Sequence, residues 1–547
     1  MNVTRAEMLW ALKWALVALI LTSLPYLWAW SQQTEEFAFT GLVYDVKDCT
    51  TYLAEMYQGA EGEWLLHLPF TSEEHPRALV HALYLILGKV AALFNLPMLV
   101  TYHLARLACG LLLLIVSYLF VAFFTPYRFL RRLAFLLIAF SNGLGWVLLL
   151  ASRAEWQGDM PIDFWVPEAF TLPIFYGFPH ISLATALLLG SVIMFILAIE
   201  KDRCGLALLS GALCFFLGFV VPFNVPIVYV AVAAYLAALA LKKKELPRVA
   251  FKGALLLGIV SAPSLLYNFY VFTFNPAFRE WSRQNLGFSP HPLHYLLSYA
   301  LLSVLALGGA IHYLKARSER GLFLVSWIAV ALVLIYAPFN LQRRLIAGVH
   351  PSLSILASIG FARWVLLPLL RSRPLRWLVA RFPARYSRRG LSQWLTCGFV
   401  LLTIPSNLLL MAGPVAQSLH HEEPIFQPQA VVEAADWLKD KARPREVILS
   451  SPEVGNYIPA RSGRRVFIGH PAITARYEEK KTMVEEFFAG KLGEEGEKNF
   501  LRENDIAYVF YGPRERALGD FSPQGRPYLR LVYRNSEVEI YKVENEE

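Results

Sequence analysis

Two aspartates lie close together just beyond the first long apolar segment of the chain. Asp45 and Asp48 belong to residues 41–59, GLVYDVKDCTTYLAEMYQG, which otherwise have the pattern of an amphipathic helix. A partly buried carboxylate beside a membrane has a raised pKa and is suited to removing a proton from an acceptor hydroxyl. Asp48, one helical turn before Tyr52, is therefore the first candidate general base, and Asp45 is the second.

Two other roles stay open for this pair of aspartates. Either carboxylate could cap the helix that follows it, because Asp is a favoured N-cap residue. The two together could hold a divalent cation through hard oxygen ligands. The sequence offers no third or fourth ligand, so the need for a metal stays unknown and no cofactor is assigned.

A second group of polar residues lies in the loop 152–180, SRAEWQGDMPIDFWVPEAFTLPIFYGFPH. Aromatic rings flanked by acids can stack on a sugar ring while the carboxylates bind its hydroxyls. Glu168 and His180 stand nearest to the next apolar segment, so they are, with Tyr52, the candidate substrate-binding residues. The alternative is an ordinary aromatic belt at the membrane interface.

A third feature is the arginine pair Arg343 and Arg344 within residues 336–353, YAPFNLQRRLIAGVHPSL, between two apolar segments. Arginine forms bidentate hydrogen bonds with phosphate, and a phosphate at a membrane surface indicates a lipid phosphate. The alternative is contact with phospholipid headgroups by snorkelling side chains.

The composition predicts a polytopic α-helical membrane protein around these residues. Of the 547 residues, 56% are hydrophobic and 17% charged. Stretches of about 20 apolar residues, long enough to cross a bilayer, recur along the chain. About eleven spans are predicted, near 9–30, 100–123, 133–151, 181–199, 205–222, 226–241, 249–270, 293–313, 321–339, 345–368 and 394–413.

The connecting loops alternate between short basic ones and longer ones rich in Trp, Pro and acids. Positive charge marks the cytoplasmic side, so we expect a cytoplasmic N-terminus and an outer C-terminus in a multi-pass protein of the cell membrane. The same rule explains the net charge of +9 without nucleic-acid binding. Residues 77–96 contain His81 and Lys89 and are expected to form a juxtamembrane helix on the outer face.

Two domains are predicted on this basis. Residues 1–414 form the transmembrane domain, in which 31–99 make a first outer loop with juxtamembrane helices. Residues 415–547 hold many charges and an amphipathic helical pattern at AVVEAADWLKD. They also contain short strand patterns at REVILSS, RRVFIG, IAYVFYG, YLRLVYR and VEIYKV. They are expected to form a soluble extracytoplasmic α/β domain.

Four features together resemble the integral-membrane glycosyltransferases of the GT-C fold, which include protein O-mannosyltransferases and aminoarabinose transferases. These are the acidic first outer loop with Asp48 and Tyr52, the juxtamembrane helices before a span entered through YHLARL, the number of crossings, and a soluble outer domain at the C-terminus. The resemblance covers most of residues 1–370 by architecture.

The resemblance implies transfer of a hexosyl or pentosyl group from a polyprenyl-phosphate carrier to a glycan, lipid or protein acceptor outside the membrane. In an inverting displacement Asp48 would deprotonate the acceptor hydroxyl, and Arg343 and Arg344 would stabilise the departing lipid phosphate. The absence of a P-loop pattern in the sequence fits a lipid-linked donor better than a nucleotide sugar.

Three rival functions stay open from the sequence. A lipid or glycan transporter or flippase predicts charged residues in the middle of its spans. An outer-face ligase would move a whole glycan rather than one sugar. A non-catalytic scaffold would only display residues 415–547, but the long acidic first loop exceeds what a simple connector needs.

Overall fold

The computed structural model describes residues 3–153, 155–156 and 158–544, which fold as two compact units. The first unit comprises Met1–Leu24, Arg106–Leu266 and Gly287–Gly413. The second comprises Pro25–Ala105, Tyr267–Leu286 and Pro414–Glu547. Residues 31–99 and 415–547, which the sequence analysis treats separately, both fall in the second unit.

The predicted fold class, a polytopic helical membrane protein with a C-terminal α/β region, is confirmed. Among the described residues, seven helical stretches are long and apolar enough to cross a membrane. An eighth span results if the bent pair Arg388–Leu402 and Pro405–Leu419, inclined at 46°, is counted as one. The seven are Arg5–Ser31, Met98–Phe124, Pro179–Lys201, Asn224–Lys243, Arg248–Phe274, Pro292–Lys315 and Gln342–Arg371.

The remaining three predicted spans coincide with shorter helices. Arg128–Phe140 has 13 residues, Cys204–Val220 has 17 and Glu319–Leu334 has 16. At 1.5 Å per residue the shortest of these covers only about 20 Å, less than a hydrocarbon core of about 30 Å. The chain thus places helices at all eleven predicted positions, but not all of them have full spanning length.

Two of the apolar segments in the first unit are interrupted, one after Phe140 and the other near Thr403, and hydrogen bonds join the two interruptions. Asn142 follows the helix Arg128–Phe140, and its backbone N–H donates to the Thr403 carbonyl at 2.7 Å. The Asn142 side chain donates to Asn407 Oδ1 at 2.6 Å, and Asn407 donates to the Phe140 carbonyl at 2.9 Å. Each break therefore supplies hydrogen-bond partners for the other, as apolar surroundings require.

The short basic loops of the first unit come together through ion pairs. Arg320 forms a bidentate pair with Glu200 and donates to the Phe123 carbonyl at 2.6 Å. Lys243 pairs with Glu319 at 3.0 Å. Four helix ends thus meet on one side, which is the clustering expected of cytoplasmic loops.

We predict that this basic side faces the cytoplasm and that the C-terminal region lies outside. A reporter that is active only in the cytoplasm should therefore be silent when fused after Glu547, a residue outside the described ranges. The same reporter fused within residues 371–390 should be active. Cytoplasmic activity of the C-terminal fusion would reverse the assigned orientation.

In its described residues, the second unit contains two β-sheets. Strands β1 (Phe37–Phe39) and β2 (Phe426–Pro428) form an antiparallel pair. The other strands are β3 (Val447–Leu449), β4 (Arg465–Val466), β5 (Ile506–Tyr511), β6 (Leu529–Arg534) and β7 (Glu539–Val543). They form a sheet of order β4-β3-β5-β7-β6, parallel across β4, β3 and β5 and antiparallel across β5, β7 and β6.

One apolar core joins all three chain segments of the second unit. Leu68 and Phe70 from the first loop, Trp281 from the middle segment and Ile448 and Phe510 from the sheet are buried in the same cluster. Its burial fixes the first loop against the α/β region, because each apolar side chain removed from water contributes roughly 1.5–3 kcal/mol.

Further helices complete the two units. In the first unit they are Gly145–Leu150, Ile162–Trp165, Pro167–Ala169, Thr171–Gly177 and Arg373–Arg381, and within Gln342–Arg371 the turns are Gln342–Ile346, Val349–Gly360, Phe361–Leu366 and Leu367–Arg371. In the second unit they are Val46–Ala60, Ala82–Phe94, Pro276–Gln284, Gln429–Lys441, Pro452–Ser462, Tyr477–Phe488, Gly493–Glu503 and Pro513–Arg516. The helix Ala82–Phe94 lies within the predicted juxtamembrane segment 77–96.

Candidate functional site

The helix Val46–Ala60 holds Asp48 in its first turn. It packs closely on the helix Ala82–Phe94 through two glycines. A Cβ atom on Gly59 would lie 2.1 Å from the Leu85 carbonyl oxygen, and one on Gly88 would lie 1.9 Å from that of Met56. Only glycine permits this approach, so the spacing of the two glycines determines where the helix lies.

The N-cap position of this helix is occupied by Asp45, not Asp48. Asp45 adopts a left-handed conformation with φ 47°, and its side chain makes no capping hydrogen bond. Asp48 therefore does not serve as the N-cap residue considered in the sequence analysis. Its carboxylate instead contacts a residue that the sequence analysis did not select.

That residue is His470, in the segment after β4. His470 Nε2 lies 2.9 Å from Asp48 Oδ1, and the two side chains are 11% and 34% exposed, respectively. Asp48 is thus accessible enough to meet a substrate, while one of its oxygens is engaged by an imidazole. The arrangement is a carboxylate–histidine pair at the surface of the second unit.

Tyr52, on the same helix as Asp48, belongs to a cluster of aromatic side chains. Its buried ring stacks on Tyr84 at 4.5 Å between centroids and meets the His81 ring edge-on. His81 Nδ1 lies 2.8 Å from the buried Glu55 carboxylate. Burial raises the pKa of Glu55, and the nearby His81 opposes that shift. The substrate-binding role predicted for Tyr52 stays a prediction.

In the first unit, Glu168 and Arg344 come together. Glu168 is buried, and its Oε1 lies 3.8 Å from Arg344 Nε. Arg343 lies over the Trp165 ring at 4.4 Å from its centroid. The short helix Gln342–Ile346 that holds both arginines is anchored by the Arg343 backbone N–H, which donates to the Gly287 carbonyl at 3.0 Å.

Two other polar residues of the 152–180 loop, the predicted substrate-binding residue His180 and the unselected Asp163, have different environments. His180 is buried in the first turn of the helix Pro179–Lys201, with its ring edge-on to Phe178. Asp163 is buried and accepts hydrogen bonds from the Gly145 backbone and from Ser298 and Ser406 at 2.6–2.8 Å. Asp163 therefore connects three segments of the first unit.

The predicted site residues are thus divided between the units. Asp45, Asp48 and Tyr52 belong to the second unit, whereas Glu168, His180, Arg343 and Arg344 belong to the first. Within the described ranges, no group of three or more His, Cys, Asp or Glu side chains is placed to hold a metal ion. Within those ranges, the structure therefore adds no third His, Cys, Asp or Glu ligand to Asp45 and Asp48 for the divalent cation considered above.

A cavity of about 450 Å³ in the second unit lies beside the same helix. Thr50, Leu53 and Tyr57 line it, together with Asp436 and Arg461. At 100° per residue these three helical positions point nearly opposite to Asp48. The cavity is consequently separate from the carboxylate–histidine pair.

Charged residues connect the first loop to the segment that holds His470. The Lys480 ammonium is 1% exposed and lies 2.7 Å from Glu73 Oε2 and 3.0 Å from Ser72 Oγ. Burial lowers the pKa of Lys480 to about 8, against the effect of Glu73. Burial alone would raise the pKa of Glu73, but Lys480 and hydrogen bonds from Lys480 and Thr71 lower it to about 2.

Glu73→Gln is expected to destabilise the second unit by about 3 kcal/mol, because it leaves the buried Lys480 without its carboxylate. Chemical denaturation at pH 7 would measure the loss. A Glu73→Gln, Lys480→Met double variant should recover most of the lost stability, and Glu479→Gln, at an exposed neighbouring acid, should be neutral.

The contribution of Glu73 to stability depends on pH. Because the pKa of Glu73 is lowered, this contribution is present above pH 4.5 and is lost as the pH falls toward 2. Equal stability of the wild type and Glu73→Gln would contradict this account.

Comparison by sequence gives no relative for this chain. No family model matches it, and no curated protein matches it.

Comparison by structure does give similar proteins. The chain resembles the apo oligosaccharyltransferase of Archaeoglobus fulgidus with a TM-score of 0.50 and 13% identity, over 91% of this chain and 69% of that one. The same archaeal enzyme, AglB, in complex with an inhibitory peptide and a dolichol-phosphate gives a TM-score of 0.50 and 12% identity, over 91% of this chain and 69% of that one.

A mutant of the mycobacterial arabinofuranosyltransferase AftD gives a TM-score of 0.51 and 15% identity, over 100% of this chain and 42% of that one. This chain therefore spans less than half of AftD. Both similar proteins are GT-C glycosyltransferases. The described helices and the C-terminal α/β region thus confirm the resemblance at the level of the fold: this multi-pass membrane protein has the GT-C fold.

Proposed function

We propose that the protein is a glycosyltransferase that moves a sugar from a polyprenyl-phosphate carrier to an acceptor on the outer face of the membrane. The observation that carries the proposal is the Asp48–His470 pair in a chain with the GT-C fold. A carboxylate that is one-third exposed and oriented by an imidazole is suited to act as a general base.

The reaction we propose is a single inverting displacement. The hydroxyl oxygen of the acceptor attacks the anomeric carbon of the sugar, and Asp48 accepts the proton that this hydroxyl loses. The bond between that carbon and the phosphate oxygen breaks, and polyprenyl phosphate leaves with the bonding pair. Arg343 and Arg344 are proposed to stabilise the charge that develops on this phosphate.

The distribution of carboxylates in the spanning helices favours transfer over proton-coupled or ion-coupled transport. In the seven described spanning helices, Asp and Glu occur only at Glu7, near the start of Arg5–Ser31, and at Glu200, near the end of Pro179–Lys201. Glu7 pairs with Arg131, and Glu200 pairs with Arg320. A proton-coupled or ion-coupled transporter would instead need carboxylates in the middle of its spans.

The choice of donor rests on chemistry and on one similar protein. Arg343 and Arg344 offer two guanidinium groups, which suit a phosphate better than a neutral sugar. AglB from Archaeoglobus fulgidus is described in complex with a dolichol-phosphate, a polyprenyl-phosphate-type lipid. The sugar and the acceptor stay open between hexose and pentose, and between glycan, lipid and protein.

The test uses the purified full chain in lipid nanodiscs with a panel of polyprenyl-phosphate hexoses and pentoses. We expect one donor to release unglycosylated polyprenyl phosphate when an envelope lipid or glycan extract supplies the acceptor. The Asp48→Asn variant should not release it. A chain that moves intact donor between the leaflets of proteoliposomes without cleaving it would be a transporter, which would refute the proposal.

A further inference from the structure

His470 is the most unexpected residue near the proposed general base. It is separated from Asp48 by 422 positions, yet its Nε2 atom lies 2.9 Å from Asp48 Oδ1. Two roles are chemically available to such a pair. Either the histidine takes the proton and the aspartate orients it, or the aspartate takes the proton and the histidine orients it.

The second ring nitrogen of His470 distinguishes between these roles. The backbone N–H of Ala472 donates to His470 Nδ1 at 3.2 Å. A backbone amide can only donate, so Nδ1 is an acceptor and carries no proton. In the neutral ring the proton is then on Nε2, which donates to Asp48 Oδ1. Both nitrogens are used, and neither offers a lone pair to a substrate.

The segment around His470 is held firmly in place. The His470 carbonyl accepts from the backbone N–H groups of Ile473 and Thr474, at 3.1 and 2.9 Å. Thr474 Oγ1 donates to the Phe70 carbonyl at 2.7 Å, and Gln284 donates to the Thr474 carbonyl at 2.7 Å. A Cβ atom on Gly469 would lie 2.7 Å from the Gly455 carbonyl oxygen, so the backbone is tightly packed there.

We infer that His470 is a positioning residue for Asp48, and that it holds the carboxylate in one orientation with a hydrogen bond from Nε2–H. This inference rests on the proposed function. It assigns the C-terminal α/β region a part in the reaction, because that region supplies the donor that orients the base. A group held in this way loses less conformational freedom when it reaches the transition state.

The test compares three replacements of His470 in the full chain in nanodiscs. His470→Phe keeps a planar ring without a donor, His470→Ala removes the side chain, and His470→Gln keeps an N–H donor at about the reach of Nε2. We expect the Phe and Ala variants to lose about 10–100-fold in kcat, the effect of one hydrogen bond to a charged group. The KM for polyprenyl-phosphate sugar should change less than twofold.

The Gln variant should recover kcat to within about fivefold of the wild type. His420→Gln, at an exposed histidine of the same unit, is the matched control and should be neutral. In an Asp48→Asn background, His470→Phe should cause no further loss, because the two residues act through one hydrogen bond. If His470→Phe fails to fold, the Ala and Gln variants decide the matter, because one lacks the N–H donor and the other keeps it.

Two results would overturn the inference. Wild-type kcat in a folded His470→Phe variant would show that the bond is dispensable. A Gln variant as poor as the Phe variant, both folded, would show that the imidazole itself reacts. In both cases sugar transfer by the wild type and an inactive Asp48→Asn variant leave the proposed function standing, whereas no transfer by the wild type with any donor of the panel would count against the proposed function itself.

Discussion

Asp48→Asn is expected to lower sugar transfer by about 10²–10⁴-fold, the usual effect of losing one general base. Asn has the shape of Asp but cannot accept a proton at neutral pH. Its side-chain oxygen can still accept the hydrogen bond from His470, so the helix Val46–Ala60 should keep its place. The measurement is the single-turnover rate of polyprenyl-phosphate release at saturating donor and acceptor, together with thermal unfolding.

Two control variants give this prediction its specificity. Asp45→Asn replaces the neighbouring acid at a left-handed position that Asn tolerates well, so folding should be unaffected. Asp440→Asn replaces an exposed acid of the same unit. Full turnover in Asp48→Asn with loss in Asp45→Asn would exchange the roles of the two residues. Full turnover in both would refute the catalytic interpretation of the first loop.

The sequence predicted the elements of this fold well because each depends on local pattern. Apolar runs gave helices at all eleven predicted positions, and the strand patterns at REVILSS, RRVFIG and IAYVFYG became β3, β4 and β5. Helix length was harder to predict. The predicted span 133–151 breaks after Phe140 because Asn142 bonds to Thr403 and Asn407, and no local pattern reveals partners so far along the chain.

The same limit applies to the candidate site. Asp48 could be selected from its spacing to Tyr52 and its place near a membrane. His470 could not, since a lone histidine in a turn has many explanations and the pairing depends on tertiary structure. Glu55 was also missed, although it lies seven residues after Asp48 and thus on the same face of the helix. That spacing, in a helix with few other charges, was the available signal.

Replacement of both Arg343 and Arg344 with Ala is expected to abolish donor use almost completely, because the proposed phosphate site loses both guanidinium groups. Replacement of both with Lys keeps the charge but removes bidentate geometry, so donor KM should rise and kcat should fall partly. The measurement is a titration of polyprenyl-phosphate sugar in nanodiscs, with release of polyprenyl phosphate as the readout.

The neighbours of the two arginines determine the controls that this experiment needs. Removal of Arg344 leaves the buried Glu168 without its partner at 3.8 Å, which can lower stability by itself. An Arg344→Ala, Glu168→Gln double variant removes both charges and isolates the effect on the donor. Arg343 lies over Trp165, so Arg343→Met keeps apolar contact with that ring while losing the charge. If the double Ala variant folds and retains wild-type donor KM and kcat, the arginines contact only headgroups, and the proposed donor loses its main support in this chain.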